Sequence, residues 1–95
     1  MTSTEKYRLR LYVTGLTSRS TRAIETVREV CEKHLAGRYD LEIIDVYQQP
    51  SRIGADQIVA IPTLVREAPA PRRLIVGDMS DRSRLLGGLG LPLDG

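Results

Sequence analysis

Ala60-Ile61-Pro62-Thr63 stands between the run Asp56-Gln57-Ile58-Val59 and the β-rich stretch Thr63-Leu64-Val65-Arg66-Glu67. Proline fixes φ and has no N–H, so Pro62 marks a chain reversal or the first residue of a strand. An X–Pro bond is where a cis peptide costs least, although most such bonds are trans. The sequence leaves the isomer open. What lies on either side of this step decides the fold.

Upstream, Tyr7-Arg8-Leu9-Arg10-Leu11-Tyr12-Val13 alternates with period two, which predicts a strand ended by Thr14-Gly15. Tyr7, Leu9, Leu11 and Val13 share one face. Arg8, Arg10 and Tyr12 share the other, which reads as incompletely buried or turned toward a partner. Thr17 to Ser20 offers helix caps, and Ile24, Val27, Cys31 and Leu35 then recur at helical spacing as far as Ala36-Gly37. Tyr39 to Val46 is a second strand whose Ile43-Ile44 doublet fits cover on both faces. Strand, helix, strand predicts a right-handed crossover with parallel strands.

Pro50 opens a short helix, Ser51 to about Val59, packed by Ile53 and Ile58. Beyond Pro62 come two strands, Thr63–Glu67 and Arg73–Val76, joined by Ala68-Pro69-Ala70-Pro71 and closed by Gly77-Asp78. Ser80, followed by Asp81, is expected to cap a last helix through Leu85 and Leu86. The end is ambiguous. Gly87, Gly88 and Gly90 each cost a helix about 1 kcal/mol relative to Ala, while Leu86, Leu89, Leu91 and Leu93 could alternate as a strand. The order βαβαββα is that of the thioredoxin fold, an α/β architecture with a mixed four-stranded sheet. That fold sets a cis-proline in just such an Ile-Pro-Thr step before a short strand.

Ninety-five residues make one domain, 1–95, with a thin core that lacks Trp and Phe. A formal charge of +2 is no nucleic-acid footprint. Twelve of the fourteen cations are arginine, a residue suited to bidentate contacts at interfaces and equally to a solvated surface. Cys31 is the single cysteine, which excludes an internal disulfide. Met1 to Lys6 is polar and no run is long and apolar enough to span a bilayer, so a cytoplasmic protein without a membrane partner is expected.

A thioredoxin-type oxidoreductase needs a thiolate at the N-terminus of its first helix, with a resolving cysteine nearby. That place reads Gly15-Leu16-Thr17-Ser18-Arg19-Ser20. Cys31 lies on the apolar stripe, where a buried structural thiol is expected. His34 has no ligand set around it in sequence and reads as a solvated or capping residue. Ser18 and Ser20 have no base at suggestive spacing and read as caps. Arg19 and Arg22 could meet an anion or a partner's carboxylates. Neither a phosphate loop nor a dinucleotide fingerprint is present. No catalytic residue, cofactor or metal is expected.

The chain resembles the KaiB family. The resemblance is carried by Leu11-Tyr12-Val13-Thr14-Gly15, Ser20-Thr21-Arg22-Ala23, Ile44-Asp45-Val46, Pro50 and Ile58-Val59-Ala60-Ile61-Pro62-Thr63-Leu64. It continues through Pro69-Ala70-Pro71-Arg72-Arg73-Leu74-Ile75-Val76-Gly77-Asp78-Met79-Ser80, then Leu85, Gly88 and Leu89. It implies a regulator rather than an enzyme: a protein that binds the ring of the KaiC ATPase and, with it, KaiA or a KaiC-binding histidine kinase. It implies a KaiC-facing surface at Gln57, Ile58 and Ala60, and a KaiA-facing surface at Arg22. It also implies a metamorphic chain, with a tetrameric βαββααβ form beside a monomeric thioredoxin-like one and a switch region at Gly88 and Gly90. Gln57 and Gly90 stand where the family often has Lys and Asp. The crowding of Pro62, Pro69 and Pro71, and Pro92 at the end, favour the thioredoxin-like form here. A sensory module with another partner is the alternative; a redox enzyme is disfavoured by the missing cysteine.

Overall fold

Alternation over seven residues makes β1 (Tyr7–Val13), which is paired on both edges and so lies inside the sheet. The computed structural model describes residues 6–15, 17–77 and 79–92. The element order continues with α1 (Ser18–Leu35), β2 (Tyr39–Asp45), α2 (Ser51–Asp56), β3 (Thr63–Ala68), β4 (Arg73–Val76) and α3 (Arg82–Leu89). The sheet order is β2-β1-β3-β4, with β2 parallel to β1 and both β3 and β4 antiparallel to their neighbours. This is the mixed four-stranded sheet of a thioredoxin-like fold. The Ile61–Pro62, Ala68–Pro69 and Ala70–Pro71 bonds are cis.

Two apolar clusters sandwich the sheet. Tyr7, Leu9, Leu11 and Val13 point into the larger one with Val27, Val30, Cys31 and Leu35 of α1 and Leu85, Leu86 and Leu89 of α3. The opposite face carries a smaller cluster of Tyr12, Ile44, Val46, Ile58 and Val65, with Ile53 against it. The Ile43-Ile44 doublet serves one cluster each, as its lack of alternation implies. The face of Arg8, Arg10 and Tyr12 is incompletely buried, as expected: Arg8 is exposed and Arg10 half-buried, while Tyr12 alone is fully buried, beneath α2 and the segment that follows it.

Local chemistry sets the element ends. Thr17 caps α1, its hydroxyl accepting from Ser20 N at 3.1 Å. β2 ends at Asp45, one residue short of Val46, because its carboxylate turns back to accept from Tyr47 N at 2.9 Å. Asp81, not Ser80, caps α3 by accepting from Arg84 N at 3.1 Å. Asp78, at the expected end of β4, and Leu93, in the possible terminal strand, lie outside the described residues.

The glycine-rich stretch is helical through Leu89. Gly90 takes φ +75° and closes α3, with Leu91 N donating to Leu86 O at 2.9 Å. Buried Arg66 reinforces that end: its Nη1 donates to Leu89 O at 3.0 Å and its Nη2 to Pro71 O at 2.7 Å. Gly88 is required for another reason: a Cβ there would stand 2.5 Å from Ile75 Cγ1. So Gly88, which weakens the helix intrinsically, is what lets it lie against β4. Gly88→Ala should therefore destabilise the fold by about 1–3 kcal/mol, as overpacking does. Trimming Ile75 to Ala in the same chain should recover part of what Gly88→Ala loses, measured by urea unfolding of the two single variants and the pair.

Candidate functional site

The topology brings the loops to one end of the sheet. β1 and β2 both finish there, β3 starts there opposite Tyr12, and β4 finishes there opposite Thr63. Polar links tie the loops together: Gly15 N donates to Asp45 Oδ1 at 3.2 Å, and Gly77 N to Pro62 O at 3.1 Å. Tyr47 is 75% exposed beside Gly15, and Val59 is 92% exposed on the α2–β3 connection. Val59 is the most exposed large apolar side chain among the described residues.

α2 stops at Asp56 rather than near Val59. Gln57 adopts the left-handed conformation, with φ 57° and ψ 45°, and is the one described non-glycine residue at positive φ. Gln57 N donates to Gly54 O at 3.2 Å and Ile58 N to Ile53 O at 2.9 Å. These two bonds, with Ile58 and Ile53 in the same apolar cluster, make a Schellman termination. A side chain in that conformation costs about 1 kcal/mol or more. The three residues expected to face a partner therefore differ in placement. Gln57 is exposed, Ala60 is half-buried, and Ile58 is 7% exposed and holds the loop down. Thr63 Oγ1 donates to Ala60 O at 2.6 Å and fixes the turn into β3. Val59, between them, was not singled out by sequence reasoning. Only its exposure reveals it.

Beneath the loop lies a cluster of charges. Asp56 is 7% exposed. Its carboxylate accepts from Arg10 Nε at 2.8 Å and Arg10 Nη2 at 2.9 Å, a bidentate pair, and from the Tyr12 hydroxyl at 2.6 Å. Arg72 Nη2 donates to the Asp56 carbonyl at 2.8 Å and to its Oδ1 at 3.2 Å. Glu67 completes the group, accepting from Arg10 Nη2 at 2.8 Å. Hydrogen bonding from Arg10 above all holds the Asp56 carboxyl far below the usual carboxylate range. Burial, then the bond to Asp56, pushes the Tyr12 phenol up to about 12. Sequence reasoning missed this cluster because its members come from four separate segments.

The other expected residues lie elsewhere. Arg22 is exposed on α1, and Gly88 and Gly90 belong to α3 and its end. Cys31 is fully buried, and burial pushes its thiol up to about 12. At the α1 N-terminus a hydroxyl knot stands where a redox enzyme would place its thiolate. Thr14 N donates to Ser20 Oγ at 3.1 Å, and Thr17 Oγ1 donates to it at 2.9 Å. Among the described residues no group of three His, Cys, Asp or Glu is arranged to hold a metal, and no helix is long and apolar enough to cross a membrane.

A family model described as the KaiB domain matches residues 10–91. The chain is 46% identical over 94 residues to the circadian clock oscillator protein KaiB of Prochlorococcus marinus strain MIT 9312, covering 99% of this chain and 90% of that one. It is 41% identical over 87 residues to circadian clock protein KaiB3 of Synechocystis sp., covering 92% and 85%. Among solved structures, the N-terminal domain of Synechococcus elongatus SasA superposes with a TM-score of 0.73 at 23% identity, covering 95% of this chain and 89% of that one. The germline thioredoxin Deadhead of Drosophila melanogaster does so with 0.70 at 17% identity, covering 90% and 80%. The last two likenesses concern the fold alone.

Two outcomes follow from the geometry. The native Asp56 carboxyl titrates below its unfolded range of about 3.9, so its stabilisation is complete above that value and is lost as pH falls below it. The stability gap between wild type and Asp56→Asn should thus stay constant from about pH 5 to 8 and narrow below about pH 4, read from denaturant midpoints at each pH. Native Cys31 should resist a thiol reagent at neutral pH and react only on unfolding; rapid labelling of the folded chain would contradict its burial.

Proposed function

This chain belongs to the KaiB family, and from that premise we propose that it is a clock-type regulator that binds the ring of a KaiC-like ATPase and modulates its phosphorylation and ATPase cycle. The docking surface is the end of α2 and the loop after it: Gln57, Val59 and Ala60 outermost, with Ile58 beneath. The observation that carries this reading is Val59, 92% exposed on a loop whose neighbours on both sides are fixed. An exposed apolar side chain that is already ordered can be buried by a partner with little further loss of conformational freedom. Ala60 is small, which lets a partner approach the backbone. Arg22 lies on α1 and serves a third protein, KaiA or a KaiC-binding histidine kinase. The regulator acts by occupancy, without catalysis of its own, in the cytoplasm.

Ala60→Asp places an unpaired charge at the centre of the patch, where substitutions commonly cost about 2 kcal/mol or more. It should weaken KaiC binding by about thirtyfold while circular dichroism remains native. Arg22→Ala should leave KaiC affinity nearly unchanged. Each variant is titrated against KaiC under ATP hydrolysis. A folded Ala60→Asp that bound like wild type would place the interface elsewhere.

A further inference from the structure

We infer that the ion cluster around Asp56 positions the partner-binding loop, so that Asp56, Arg10 and Arg72 govern partner affinity from beneath the contact surface. This rests on reading residues 57–60 as that surface.

The loop follows a helix of six residues, too short to hold its own shape. What fixes it must come from outside. At its start, Tyr12 donates to the Arg52 carbonyl at 3.0 Å, and the Arg52 side chain pairs with Glu42 at 3.0 Å in an exposed contact. At its end the hold is of another kind. Asp56, the last helical residue, is gripped at its carboxylate by Arg10 and Tyr12, both from β1 at the middle of the sheet. Arg72, just before β4, touches both the carbonyl and the carboxylate of that residue. Backbone and side chain of Asp56 are thus anchored from β1 and from the turn that leads into β4. The next residue is Gln57, in a conformation that non-glycine residues hold only where their surroundings over-determine it. Its direction sets where Val59 and Ala60 project. Arg10 and Arg72 also share Glu67, at 2.8 and 3.6 Å, so the two guanidinium groups have one further carboxylate between them. A single fold-stabilising ion pair would need neither the second arginine nor the carbonyl contact.

Arg72 is the better probe, because its side chain is 35% exposed and its removal leaves the Arg10–Asp56 pair in place. The experiment compares Arg72→Ala, Asp56→Asn and Glu42→Gln with wild type. Three quantities are read: melting temperature, hydrogen exchange at the Gln57 and Ile58 amides of the free chain, and affinity for KaiC. Arg72→Ala should remain folded, exchange faster at those two amides, and bind KaiC about tenfold more weakly. Asp56→Asn should do the same or more. Glu42→Gln, which releases only the exposed contact at the other end of α2, should change affinity by less than about threefold and leave both amides protected. The inference is overturned if a folded Arg72→Ala binds as wild type does, or if Glu42→Gln weakens binding equally. Should wild type itself not bind KaiC, the docking reading falls, while the exchange rates still decide whether the cluster orders the loop.

Discussion

A carboxylate removed from water is tolerable only when its lone pairs are filled and its charge is matched. Asp56 meets that condition with Arg10, Tyr12 and Arg72, and much of the α2 side of the molecule follows from it. Arg10 and Tyr12 can reach it because they alternate on one face of β1. Arg72 can reach it because the Pro69–Pro71 turn returns the chain beside β3. The helix that carries Asp56 ends there, and the loop that follows inherits its direction. The opposite side is built differently, by continuous apolar contact between the sheet and two helices.

Much of this was legible in the chain. Period-two alternation located β1, the Ile43-Ile44 doublet located a strand covered on both sides, and Pro62 located the start of β3. These signals are local, and their physical causes act within a few residues. The terminal glycines were not legible, because their justification lies elsewhere: Gly88 answers to Ile75, and Gly90 to a turn also held by Arg66. The Asp56 cluster escaped for the same reason. Arg10 and Asp56 are 46 residues apart, and no spacing rule joins them. At the candidate surface, family resemblance named Gln57, Ile58 and Ala60, whereas solvent exposure adds Val59 and turns Ile58 inward.

The likeness to thioredoxins is one of scaffold. All loops of the candidate site sit at the end of the sheet where β1 and β2 finish. A redox enzyme would spend that end on a helix-start thiolate. Here Ser20, 2% exposed and bonded to Thr14 and Thr17, closes the position with hydroxyls. At the same end of the sheet the loop after α2 carries its exposed valine. Fold alone does not fix how that end is used.

The unequal construction of the two faces has a thermal consequence. Exposing apolar surface raises heat capacity, and exposing polar surface lowers it. Opening the α2 face hydrates a small apolar cluster together with five charged or phenolic side chains, so the two contributions oppose each other. Opening the α1–α3 face hydrates an almost wholly apolar one. The free energy that holds the loop after α2 therefore curves less with temperature than the free energy that holds the fold. Hydration of ions also becomes less favourable on warming, which further favours the closed cluster. Local order at the loop after α2 accordingly follows a flatter curve across the physiological range than global stability does.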